Sequence, residues 1–108
     1  MKPLIKSLKR EGRLREQKVG FVQIEGLVRE ALIDLKEADR TLPIADRATY
    51  LLAYGAMLKA GRALLYLEGV SPKGEGQHRT LIQVCEVLLG SEFKQLAQHF
   101  ETMRRKRN

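Results

Sequence analysis

The sequence predicts an all-α protein, a four- to five-helix up-and-down bundle, on three observations. Apolar residues recur at three- and four-residue steps along most of the chain, and one stretch is apolar around most of its circumference. No run carries the two-residue alternation of a strand. At 108 residues, 44% of them apolar, the chain is long enough for one domain with one core.

The chain divides into a basic N-terminal segment, residues 1–18, and a helical bundle domain, residues 19–108. The first bundle helix is expected from Phe21, where Phe21, Ile24, Val28, Ala31, Leu35, Ala38 and Leu42 draw one stripe with charges on the other side. Pro43 cannot continue that helix and biases Leu42 away from helical geometry, so the helix ends there. A second helix is expected over about Ile44 to Glu68. Its small residues Ala53, Ala56, Ala60 and Ala63 form one stripe and Leu51, Leu58 and Leu65 another, with a narrow polar strip at Lys59, Arg62 and Tyr66. Such a helix must be covered on more than one side, so it is central or shared with a second copy. Gly55 and Gly61 each cost about 1 kcal/mol relative to alanine in an exposed helix, which points to a close approach of another backbone. The stretch "EGVSPKGEGQH" reads as a loop. A third helix follows from about Gln77 to Leu89, with Leu81, Ile82, Cys85, Leu88 and Leu89 on its apolar side and Gly90 at its end. Ser91 is the expected N-cap of a last helix with Phe93, Leu96, Ala97, Phe100 and Met103 on its buried stripe.

The formal net charge of +7 is unevenly placed: residues 1–18 carry +5, residues 104–107 carry +4, and the chain between carries −2. Basic ends of this kind attract phosphate backbones, and they also keep a small protein soluble. No apolar run approaches the roughly 20 residues of a membrane span, so no membrane partner is expected. The start lacks the apolar core of a secretory signal and the single Cys85 forms no internal disulfide, so a cytoplasmic location is expected.

The chain closes on "MRRKRN". On a continuous last helix Arg107 lies seven residues after Phe100 and four after Met103, so it leaves from the core-facing side, with Arg104 beside it. A guanidinium on that side needs a partner or a wet cleft. The alternative is a final turn that has left the core.

The Ala-rich helix closing on "RALL", the Gly/Pro loop, His78 at the head of the next helix and the late "RN" together resemble the HEPN superfamily of helical-bundle domains, over most of residues 21–108. The resemblance implies a homodimeric bundle and a group that includes metal-independent ribonucleases of defence and toxin-antitoxin systems, often beside a nucleotidyltransferase. Catalytic members carry an Arg, a polar residue and then a His. Arg107 and Asn108 fit the first two positions, and a His would have to lie beyond Asn108. Cleavage through a 2′-hydroxyl needs a proton-transfer group as well as a cation, and arginine supplies only the cation. The expected function is therefore a dimeric module binding RNA or a nucleotidyltransferase-type partner, with a partial catalytic motif in Arg107 and Asn108. The alternative is a ribonuclease completed by a downstream His. Arg104, Arg105, Arg107, His78 and Arg79 are the expected nucleic-acid or anion contacts.

Other readings weigh less. His78 serves as a base or phosphate contact, or lines the start of its helix. His99 falls off the apolar stripe and is expected at the surface. A histidine phosphotransfer bundle would need a glycine near His99 that the sequence lacks. Two separated histidines and one cysteine have no metal-site spacing, so no metal or other cofactor is expected. Cys85 reads as a small core residue. "GVSPKGEG" lacks the order of a P-loop and has no strand predicted before it. Tyr50, Tyr54 and Tyr66 stack on bases or belong to the core or an interface.

Overall fold

The computed structural model describes residues 2–90, together with Gln98 and Thr102. Its elements run α1 (Lys2–Arg10), β1 (Leu14–Glu16), α2 (Phe21–Thr41), α3 (Asp46–Leu67), β2 (Val70–Pro72) and α4 (Gln77–Leu89). The described chain is mostly helical with one small sheet.

The helices α2 and α3 form an antiparallel hairpin joined through Leu42, Pro43, Ile44 and Ala45; α2 ends before Pro43 as expected, but Leu42 itself keeps helical geometry (φ −51°, ψ −47°), its N–H bonded to the Ala38 carbonyl, rather than being pushed out of it. The stripe of α2 divides on packing. Ile24, Ala31 and Ala38, seven apart, are buried, whereas Val28 and Leu35 are nearly half exposed. Small residues on both helices let the two backbones approach, and Lys59 of α3 closes the outer side with an ion pair to Asp34 of α2 at 2.8 Å.

The helix α4 packs on α3 at Gly61. A Cβ built there would meet the Cys85 sulfur at 3.2 Å and the Leu81 carbonyl oxygen at 3.5 Å, so the close approach expected from Gly61 is realised. Among the described residues a Cβ at Gly55 would meet only the Asp34 carboxylate, at 3.4 Å, so its contact is with a side chain. Cys85 lies in a buried cluster with Tyr54, Met57 and Ile82, as expected for a core thiol.

The N-terminal segment departs from the all-helical reading. In α1, Ile5 and Leu8 share a buried face, and Leu8 is completely enclosed. The helix ends in a Schellman motif: the Gly12 N–H donates to the Lys9 carbonyl, the Arg13 N–H to the Leu8 carbonyl, and Gly12 takes φ 75°. The chain then forms β1, which pairs antiparallel with β2 in the register Leu14 to Pro72, Arg15 to Ser71 and Glu16 to Val70. The stretch after α3 is thus strand as well as loop. Leu14 and Val70 join Ile5, Leu8, Leu65, Leu81 and Val84 in the main core. Each strand is three residues long and pairs with a partner 56 residues away, so neither shows an alternation to read along the chain.

Candidate functional site

Two surfaces stand out, one cationic and one apolar. The cationic surface begins on α1, where Lys2, Lys6 and Arg10 are spaced by four and lie on the exposed side, away from Ile5 and Leu8. None of the three makes an ion pair among the described residues, although Lys9 on the flank pairs with Glu16 at 3.2 Å.

The same segment reaches the start of α4. The Arg13 Nε donates to the Thr80 hydroxyl at 3.1 Å, and the Lys73 N–H donates to the Arg13 carbonyl at 2.9 Å. Thr80 is fully buried and its hydroxyl also donates to the Gly76 carbonyl at 3.3 Å, so it serves both chain segments. Arg13 is therefore held against the first turn of α4, which bears His78 and Arg79, no acidic residue and no side-chain cap. A helix start carries partial positive charge and unpaired N–H groups, so added cations there favour an anion. Glu11, 3.7 Å from Arg13, and Glu75, just before the helix, offset part of that charge. The Arg13 Nη2 is enclosed without a hydrogen-bond partner among the described residues.

Of the expected site residues, His78 and Arg79 lie in the same first turn of α4 as Thr80, whose hydroxyl binds Arg13, a residue that spacing did not single out. His78 is exposed, with its Nδ1 3.4 Å from the Tyr54 hydroxyl and the two rings edge to face at 5.9 Å. Tyr54 is buried in the core, and Tyr50, partly buried, packs against the same cluster. Arg104, Arg105, Arg107, Asn108 and His99 lie outside the described residues, as do Ser91 and the stripe of Phe93, Leu96, Ala97, Phe100 and Met103 expected for a last helix. Among the described residues no group of His, Cys, Asp and Glu side chains gathers to hold a metal ion, and no helix is long and apolar enough to cross a membrane.

The apolar surface is a groove of about 530 Å³ lined by α2 and α3, with Cys85 and Leu88 of α4. Its floor is the alanine stripe of α3, including Ala56, Ala60 and Ala63, and its wall is Val28, Leu32 and Leu35 of α2. The alanine stripe was legible in the sequence, but its meeting with the outer leucines of α2 required the hairpin. Among the described residues, every lining side chain is aliphatic or sulfur-bearing. A small polar ligand would require a few convergent polar groups, which this lining does not supply.

Titration is perturbed at two described groups away from the cationic end. The hydrogen bond to Asp34 raises the Lys59 ammonium above its ordinary 10.5, helped by the charges of Asp34, Glu30 and Glu37 against an opposing effect of burial. Burial pushes the Cys85 thiol up to about 11, so it is neutral and weakly nucleophilic at neutral pH. Neither has the character of a catalytic group.

No family model, curated protein or solved structure matches this chain.

Proposed function

We propose that the protein is a non-catalytic helical module that binds RNA through phosphate contacts at its cationic N-terminal surface. The observation that carries this reading is the bond from Arg13 to Thr80. It joins the basic segment to the first turn of α4, so the Arg13 guanidinium is held at a helix terminus disposed toward anions. The stripe of Lys2, Lys6 and Arg10, without an ion pair among the described residues, adds exposed cations for a phosphate backbone.

In this reading the likeness to HEPN domains adds a homodimer in which two copies of the last helix bring their arginines together, alongside a nucleotidyltransferase-type partner. Leu65 is fully enclosed within one chain and Leu58 packs against both core clusters, so a charge at either position would unfold the protein rather than separate two copies.

The test is a titration of labelled single-stranded RNA followed by fluorescence anisotropy over a range of salt. Affinity should fall with a log–log slope of roughly −0.7 per neutralised phosphate. The variant Lys2→Gln/Lys6→Gln/Arg10→Gln should bind more weakly and with a shallower slope while retaining its helical circular dichroism. Binding that ignores both salt and the triple substitution would refute the phosphate reading.

A further inference from the structure

We infer that the outer face of the β1–β2 ribbon holds a built phosphodiester site centred on the Arg15 guanidinium, an inference that rests on the RNA-binding reading and adds a specific contact to it. Three observations carry this. The first is a closed ring of hydrogen bonds. The Arg15 Nε donates to the Ser71 hydroxyl at 3.3 Å, that hydroxyl donates to the Gln17 side-chain oxygen at 2.8 Å, and the Arg15 Nη2 donates to the same oxygen at 3.4 Å. Ser71 is 3% exposed, so the ring is anchored on a buried hydroxyl of β2 while Arg15 and Gln17 stand at the surface.

The second is what the ring leaves over. The Gln17 oxygen receives two donors and Ser71 commits its proton, so the acceptors are taken up inside the ring. The remaining guanidinium N–H groups and the Gln17 amide N–H groups have no partner among the described residues, and none of the ion pairs found there involves Arg15. A surface group that offers only donors around a fixed positive charge matches a phosphodiester, which offers only acceptors and is negative. Arg15 is already held in place, so it gives up less freedom on binding than a cation on a free stem.

The third is place. The bonds from the Lys73 N–H to the Arg13 carbonyl and from the Gln17 N–H to the Gly69 carbonyl extend the strand register by one residue at each end. Lys73 therefore stands opposite Arg13, and the alternation of a strand puts both on the side of Arg15, away from Leu14 and Val70 in the core. Glu16 leaves on the other side, where it pairs with Lys9. Cations opposite one another on a ladder repel. Glu11, 3.7 Å from Arg13, relieves part of this, but Lys73 makes no ion pair among the described residues. The ribbon thus continues the cationic surface from the Arg13–Thr80 contact to Arg15.

The test is anisotropy of labelled single-stranded RNA on the full-length protein, with folding followed by circular dichroism. Arg15→Gln should weaken binding several-fold and lower the salt slope by about 0.7, the share of one phosphate. Arg15→Lys should restore the slope and only part of the affinity, because an ammonium cannot take the place of the guanidinium in the ring. Ser71→Ala and Gln17→Met change no charge, yet each should weaken binding in the unmodified background and have little further effect beside Arg15→Gln. Gln17 is exposed, so its substitution guards against a loss of folding. Binding that responds to Lys2→Gln/Lys6→Gln/Arg10→Gln but not to Arg15→Gln would overturn the ribbon site and leave the α1 surface standing. Arg15→Lys equal to the unmodified protein would show that charge alone acts, without a built site. Equal losses from Gln17→Met with and without Arg15 would deny that Gln17 acts through it. Polyglutamate displacing RNA at matched ionic strength would make an acidic polypeptide the ligand, and no RNA binding at all would overturn both this site and the reading it rests on.

Discussion

At the scale of single residues, the two glycines of α3 have different consequences. Gly55→Ala adds a methyl at ordinary contact distance from the Asp34 carboxylate, so the helix-propensity gain of about 1 kcal/mol should appear as stabilisation in urea unfolding. Gly61→Ala sets the same gain against a 3.2 Å approach to the buried Cys85 sulfur and should be close to neutral. In a Cys85→Ala background the obstruction is gone, and Gly61→Ala should become stabilising. Equal effects of Gly61→Ala in both backgrounds would show that the thiol does not limit the approach.

Cys85 and Lys59 also govern the response to alkali. The folded state holds the Cys85 proton more tightly than the unfolded chain, since the thiol is raised from 9.0 to about 11. Stability should therefore fall as pH rises through that interval. The Lys59 contribution is fully present below its unfolded value of 10.5 and is lost as pH climbs through the raised folded value. Urea midpoints measured from pH 8 upward should decline from about pH 9, and Cys85→Ala should delay the onset. A flat profile through this interval in the unmodified protein would contradict the burial of the thiol.

At the scale of elements, α1 and β1 act as structure as well as a charged segment. Leu8 and Leu14 enter the same core as Leu65, Leu81 and Val84, and the strand pair ties residues 14–16 to the end of α3. Leu8→Ala should cost about 2–5 kcal/mol by chemical denaturation, as expected for a fully buried leucine. A loss under 1 kcal/mol would mean that α1 contributes little to the core. For the same reason, removing residues 1–18 would strip core side chains as well as charge, so substitutions on the outer stripe of α1 are the cleaner probe of phosphate binding.

At the scale of the whole molecule, a net charge of +7 with a cationic N-terminal surface sets up self-repulsion that ions relieve. The melting temperature should rise between low and physiological ionic strength, and phosphate should raise it more than chloride at equal ionic strength if the start of α4 holds anions. A melting temperature that falls with added salt would show that the ion pairs at Lys59 and Lys9 outweigh this repulsion.

What the sequence determined by itself is the helical framework. The stripe of α2, the stop at Pro43, the span of α3 and the start of α4 at Gln77 all follow from side-chain period and backbone chemistry, which act within a few residues. Gly12 after Lys9 and Arg10 was also a local signal, the end of a short helix, but the density of charge in that segment masked it. Tertiary structure alone decided the rest. The pairing of β1 with β2, the ion pair of Lys59 with Asp34 and the bond from Arg13 to Thr80 join residues 25 to 67 positions apart, and short polar or charged segments carry no period that announces such partners. The groove has the same origin: an alanine stripe and a row of leucines are separate features of two helices until the hairpin sets one as floor and the other as wall. Local periodicity settles which face of a helix is apolar, whereas what covers that face depends on contacts between segments distant in the chain.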